Sequence, residues 1–289
     1  MENKLTFLLH QIVRFGAMTV PQIELLSPPR KSRSTTYKRL KLLMKQDLIE
    51  RIGHPRSVVH GFTATKAGEA LALGTEIASK LPSIRAQDFS HTLACADAFL
   101  KLASFENIKG IASEREMTPE FLSKFCYKKH PDGMFQIRKN DFISDIALEV
   151  ENQPKTDSRI KEIISLYKIT LEQNFLCKGV LIVAGTDSQR KKYISLIHEI
   201  APLFIDYFQV VKRDELKTLP KSICGNFDAS RLYQRGNAVE FRWNDSTGRI
   251  SYEPIFSNSY DLNDHPKRDI SMGSVKMSQD LSLTTGDGL

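Results

Sequence analysis

Apolar residues recur at helical spacing from the start of the chain. Leu5, Leu8, Leu9, Ile12 and Val13 form one stripe, which predicts an amphipathic helix over residues 4–15. Thr19 is placed to cap a short second helix, VPQIELL, which Ser27-Pro28-Pro29 ends because proline cannot continue a helix. A third helix, STTYKRLKLLMKQDLI, is predicted from a Ser34 cap, with Leu40, Leu43, Met44 and Leu48 on its inward face. Residues 48–52 then read as a strand, followed by a Gly-His-Pro-Arg turn and a second β-prone run, SVVHGFTAT. The helix TKAGEALALGTEIASKL closes this first unit.

After residues 81–89, a proline-bearing stretch without periodicity that we take as a linker, the pattern changes. It predicts helix, strand, short helix, strand, strand, helix, strand, helix, strand. The named segments are SHTLACADAFLKLASF, IKGIASE, a hairpin of FQI and FISDIALEVEN about an RKND turn, SRIKEIISLYKITLEQNF, GVLIVAG, DSQRKKYISLIHEIA and FIDYFQVV. The unbroken apolar run GVLIVAG belongs to a strand buried on both faces, and strands mixed with helices imply an α/β domain with a central mixed sheet over residues 90–220. A C-terminal extension, 221–256, carries one more hairpin, AVEFRW and RISYEPIF about NDSTG. Residues 257–289, rich in Ser, Asp, Asn, Lys and Gly, read as a disordered tail.

Charge sharpens the first unit. The chain carries a formal +7, and all of that excess falls within residues 1–80, which hold 13 Lys+Arg against 6 Asp+Glu. A localised positive face suits a polyanion. Combined with the order of helices and strands, it predicts a mostly α winged helix-turn-helix over residues 1–80 that binds double-stranded DNA. Arg33, Thr35, Thr36 and Tyr37 occupy the first turn of the third helix, where base edges are reached; Lys38, Arg39, Lys41 and Lys45 face outward toward phosphates, and Arg56 lies near the wing tip. The plainer alternative is a small helical domain with a solvated basic face. The opening segment MENKLTFLLHQIVRFGAM does not read as a signal peptide, and no run of about 18 apolar residues offers a membrane span. Cys95, Cys126, Cys177 and Cys224 are too dispersed for a CxxC site and read as thiols of a reducing cytoplasm.

Candidate chemistry gathers at the hairpin. With Arg138 to Asp141 as the loop, Asp132 falls opposite Ala147 and diagonal to Glu149, on one face with Glu151; Asp145 shares that face at the other end. Carboxylates clustered beside Ile146, Leu148 and Val150 repel one another, and a hard divalent cation relieves that repulsion. The alternative is that Asp132 caps a turn while Glu149 and Glu151 form the solvated face of an edge strand.

His130-Pro131-Asp132-Gly133 followed by Glu149-Val150-Glu151 resembles the PD-(D/E)xK nuclease core in the ExE variant of the BamHI-type restriction enzymes. The resemblance implies a restriction-endonuclease-like domain in which Asp132 and Glu149 hold magnesium or manganese and Glu151 replaces the lysine that orients or deprotonates water. Glu114 would be a further upstream metal ligand. Over residues 5–210 the order of elements, with a His91-led helix, PDG, ExE and an Arg/Lys-to-Tyr helix, resembles the replication-relaxation family and the related C-class plasmid mobilisation relaxases. That implies a nickase or relaxase acting at a transfer or replication origin, with an accessory relaxosome protein as an expected partner; a homodimer is expected separately, because winged helices often dimerise. The glutamate at position 151 would leave Lys155 or Lys161 to act in the lysine's place.

Other residues have competing readings. Lys155, Arg159 and Lys161 hold phosphates or form a solvated helix face; Tyr127 and Tyr167 are nucleophile candidates, though Tyr167 recurs with Ile160, Ile163 and Ile164 as a packing residue; His91 reads as a helix-start or core histidine. The chain contains neither a histidine cluster of the classical relaxase type nor a GxxxxGK[ST] loop for nucleotide phosphates. The competing functional reading is a non-catalytic transcription or replication regulator whose nuclease-like domain is degenerate.

Overall fold

The computed structural model describes residues 2–26, 33–53, 59–105, 108–117, 122–123, 127–139, 142–173, 177–217, 233–234, 239–244 and 249–254. Helix α1 (Glu2–Phe15) buries Leu8, Leu9, Ile12 and Val13, the predicted stripe. Each such side chain removed from water contributes about 1.5–3 kcal/mol before entropy is counted. Strand β1 (Ala17–Met18) leads into α2 (Val20–Leu25), where Thr19 and Gln22 form a reciprocal capping box and Pro21 fits the first turn. Helix α3 (Arg33–Lys45) begins one residue before the expected Ser34 cap, so Ser34 lies inside its first turn.

Strands β2 (Ile49–Gly53) and β3 (His60–Ala64) pair antiparallel, and β1 joins the other edge of β3, giving the sheet order β1-β3-β2. The predicted closing helix is two helices, α4 (Lys66–Leu73) and α5 (Thr75–Lys80). They are separated by Gly74 at φ 85°, a conformation that side chains with a Cβ rarely adopt. Arg56 and the rest of the β2–β3 turn lie outside the described residues.

Helix α6 (Phe89–Leu102) precedes a five-stranded mixed sheet in the order β4-β5-β6-β7-β8. Its strands are β4 (Ile108–Ser113), β5 (Gly133–Lys139), β6 (Phe142–Glu151), β7 (Cys177–Ala184) and β8 (Phe208–Lys212). The first three pair antiparallel and the last three parallel, with α7 (Asp157–Gln173) and α8 (Asp187–Ile200) as crossovers. A 3₁₀ turn over Pro202–Tyr207 takes up most of the segment read as the start of the last strand, which begins at Phe208. Short strand β9 (Tyr233–Gln234) pairs with the beginning of β6. The expected C-terminal hairpin is present as β10 (Val239–Asn244) and β11 (Arg249–Pro254). The tail over 257–289 lies outside the described residues.

Alternation along β6 divides the core. Ile146, Leu148 and Val150 join a cluster with Phe99 and Leu102 of α6 and with Leu9 and Ile12 of α1; Ala147 joins the opposite cluster with Ile160, Ile163 and Tyr167 of α7 and Tyr193 of α8. Thus the N-terminal elements and one sheet face share a continuous apolar core within the compact unit Met1–Ile255. Arg14 strengthens that junction by pairing with buried Glu116 at 3.0 Å. Among the described residues no helix is long and apolar enough to cross a membrane.

Candidate functional site

The β5–β6 register differs from the expected one by two residues. Lys139 pairs with Phe142 and Gly133 with Leu148, so the connection is shorter and Asp132 comes level with Glu149 rather than with Ala147. A two-residue shift preserves the side-chain faces. It also brings the PDG turn onto the carboxyl end of β6, the edge of an open α/β sheet where ligands usually bind. Gly133 is required here: a Cβ would lie 1.9 Å from Phe99 Cζ, so only glycine lets β5 pass this close to α6.

Asp132 Oδ2 accepts the backbone N–H of Val150 at 2.6 Å, and its Oδ1 lies 3.3 Å from His91 Nε2. His91 Nε2 is also 3.5 Å from Cys95 Sγ, one helical turn along α6. Burial opposes ionisation of Asp132. The bond and charge of His91, the Lys129 ammonium and the Val150 amide outweigh it, holding the carboxyl below its ordinary range. The same bond to Asp132 raises His91 above its usual value despite partial burial. Glu114 stands beside them in the 3₁₀ turn after β4. Its N–H donates to the Asp132 carbonyl at 3.1 Å, and partial desolvation of an otherwise exposed residue, followed by the charge of Asp132, pushes its carboxyl up.

Glu149 and Glu151 face α7 and α8, not solvent. They are 2% and 1% exposed and belong to a strand paired on both sides, which overturns the solvated-edge alternative. Buried carboxylates need donors. Glu149 Oε2 accepts Lys129 Nζ at 2.6 Å and Tyr167 Oη at 2.8 Å, while its Oε1 lies 3.7 Å from Lys155 Nζ. Glu151 accepts from Lys155 and from Tyr193 Oη. Burial and the charge of Asp132 still lift Glu149 to about 7, against the pull of Lys129 and Lys155. Lys129 also sits 5.5 Å from the centroid of the Tyr167 ring, a cation–π contact.

The other expected residues separate in space. Lys155 joins the acidic centre, whereas Arg159 pairs with Glu162 and Lys161 with Glu199 on an exposed helix face. Asp145 is buried at the far end of β6, bonded by Gln136 Nε2 at 2.7 Å. Tyr127 is buried in the α7-side core. On α3, Arg33, Tyr37, Lys38, Lys41 and Lys45 are exposed and Thr35 and Arg39 half-buried, but Thr36 turns inward with Leu40 and Leu43.

Lys129 and Tyr193 were not singled out from sequence. Lys129 lies just ahead of the HPDG motif, a signal of position only; Tyr193 sits on an amphipathic helix where any aromatic reads as core. For Tyr167 packing and function coincide, since a fully buried ring carries the hydroxyl that bonds Glu149.

A family model described as replication-relaxation matches residues 9–178, more than half of the chain. That span includes His91, Cys95, Glu114, Lys129, Asp132, Glu149, Glu151, Lys155 and Tyr167. No curated protein and no solved structure matches the chain.

Proposed function

This chain belongs to the replication-relaxation family, and from that premise we propose that it binds double-stranded DNA through a winged helix and nicks it at the Asp132–Glu149 centre. The family implies a DNA-related role in replication or mobilisation. The carrying observation is the meeting of Asp132 with buried Glu149 at the carboxyl end of β6, in a domain that shares its core with the basic N-terminal elements.

The N-terminal order α1-β1-α2-α3-β2-β3, with the sheet β1-β3-β2, supports the winged-helix reading. In that reading α3 enters the major groove, with Arg33, Thr35 and Tyr37 nearest base edges and Lys38, Lys41 and Lys45 toward phosphates.

In the second domain this reading takes Asp132, Glu149 and Glu114 as the oxygen donors for a divalent cation such as magnesium or manganese, and such an ion would offset the burial and the Asp132 charge that lift Glu149. When bound, the cation would polarise the scissile phosphate and lower the pKa of a water. The chain's residues prepare that chemistry. The Val150 amide and His91 orient Asp132; Tyr167 and Lys129 hold Glu149. Glu151 and Glu149 hold Lys155, whose side chain is 31% exposed and so reaches solvent beside the acids. Lys155 thereby supplies the positive charge toward a phosphate that the PD-(D/E)xK lysine usually supplies, and Glu151 acts as its positioning residue.

A second reading rests on the same network. Each buried glutamate already has a lysine and a tyrosine, so the centre is balanced without an ion, as a regulator's degenerate nuclease domain would be. Incubation with supercoiled plasmid carrying the gene's flanking DNA, with magnesium, manganese or EDTA, separates the two. Metal-dependent open circles that disappear in Asp132→Ala and Glu149→Ala support the nickase; DNA binding without nicking under magnesium, manganese or added zinc supports the regulator.

A further inference from the structure

His91 and Cys95 stand one turn apart on α6, and Asp132 reaches them from the turn before β5. Their ligand atoms converge within 4.8 Å of one another, and His91 Nε2 lies 3.5 Å from Cys95 Sγ and 3.3 Å from Asp132 Oδ1. Those two edges can be compared with a coordination polyhedron. With zinc bonds of about 2.0 Å to nitrogen and oxygen and about 2.3 Å to sulfur, tetrahedral angles place N and S about 3.5 Å apart and N and O about 3.3 Å apart. Both measured edges therefore fit one small ion with no side-chain movement along them.

We propose that His91 Nε2, Cys95 Sγ and Asp132 Oδ1 form a three-ligand site for a thiophilic first-row transition-metal dication of the zinc class. The inference rests on the reading of Asp132 as a metal ligand, and exchanges Glu149 and Glu114 for His91 and Cys95 as its co-ligands and the oxygen-seeking ion for a softer one. Imidazole and thiolate favour zinc-like ions over magnesium, which takes oxygen donors. Three protein ligands with a fourth position left for water or a phosphate oxygen is the arrangement of catalytic rather than structural zinc. The charges of Glu114 and Glu149 act on both His91 and Cys95, set against those of Arg213 at Cys95 and Lys129 at Asp132. Asp132 Oδ2, held by the Val150 amide, leaves Oδ1 aimed at the imidazole. Coordination through Nε2 requires the proton on Nδ1.

The test is cobalt titration of the full chain after chelator treatment, because tetrahedral cobalt reports its ligands optically. One equivalent should produce a thiolate-to-cobalt charge-transfer band in the near ultraviolet and strong visible d–d bands, both unaffected by excess magnesium. Cys95→Ser, which leaves Cys126, Cys177 and Cys224 in place, should abolish the charge-transfer band, and His91→Asn should abolish the tetrahedral spectrum. Should either variant fail to fold by circular dichroism, zinc-edge X-ray absorption of the unmodified chain decides, with one sulfur scatterer at about 2.3 Å expected. A missing charge-transfer band, a band that survives Cys95→Ser, or a zinc shell of nitrogen and oxygen alone would overturn the proposal. Glu149→Gln should keep the cobalt spectrum while losing nicking, so failure of the nuclease reading is distinguishable from failure of this site.

Discussion

The Asp132 carboxylate receives the backbone N–H of Val150, 2.6 Å away, from the residue between the two glutamates of the ExE motif. One hydrogen bond thus ties the PDG turn to the strand carrying the other acids, and faces its second oxygen toward His91. Loss of this tie has two separable consequences. Asp132→Ala leaves the Val150 N–H without its acceptor and should cost about 1–3 kcal/mol, read as a lowered melting temperature together with lost nicking. Asp132→Asn keeps an acceptor and should melt within about 1 kcal/mol of the parent, yet nick no better than the alanine variant. Equal melting losses in both would show that the bond does not stabilise the turn.

Lys129 and Glu149 form a mostly buried ion pair, with side chains 14% and 2% exposed. Removing one member of such a pair strands the other charge. Lys129→Ala should therefore destabilise the fold by about 3 kcal/mol, and Glu149→Gln in the same chain should recover most of it. Chemical denaturation of the two single variants and the double variant measures this, and additive losses would contradict the pairing.

Asp145 gives a pH signature away from the candidate site. Burial, only partly offset by the Gln136 hydrogen bond, raises its carboxyl to about 7. A carboxyl raised in the folded state binds more protons there than in the unfolded chain. Its contribution is therefore complete below the ordinary value of 3.8 and is lost as pH rises through about 7. Stability should fall between these limits, and Asp145→Asn should flatten that part of the melting-temperature profile. An unchanged slope in the variant would assign the decline to other groups.

Gly133 tests the packing that brings β5 against α6. Gly133→Ala forces a Cβ to within 1.9 Å of Phe99 Cζ and should cost about 1–3 kcal/mol as the ring or strand shifts. Combining it with Phe99→Leu should recover part of the loss. If Gly133→Ala alone melts like the parent, the close approach is not rigid.

Exposed Lys38 and Lys41 on α3 carry the electrostatic part of the DNA-binding reading. Replacing either with alanine should weaken binding to all sequences alike and reduce the slope of log affinity against log salt by about 1. Arg33→Ala, at the start of the helix, should instead change the sequence preference. Binding by fluorescence anisotropy at several salt concentrations distinguishes these outcomes, and salt-independent affinity would contradict the reading.

Much of this was legible from local pattern. The stripe in α1, the Thr19 cap, the apolar run of β7 and the alternation of β6 follow from nearest-neighbour sterics and periodicity, which sequence expresses directly. So did the grouping of Asp132, Glu149 and Glu151, because faces survive a two-residue change of register. The register was not legible, since it depends on how few residues separate Lys139 from Phe142. Nor were the partners: Lys129, Tyr167 and Tyr193 reach the glutamates from 20, 18 and 42 residues away, and His91 and Cys95 meet Asp132 from a different element. By itself the sequence determined which residues alternate, cap and carry charge, because those properties belong to short stretches of chain. Only the tertiary structure decided which donors satisfy each buried acid, because burial leaves a carboxylate dependent on whatever the packing of distant elements brings within hydrogen-bond reach.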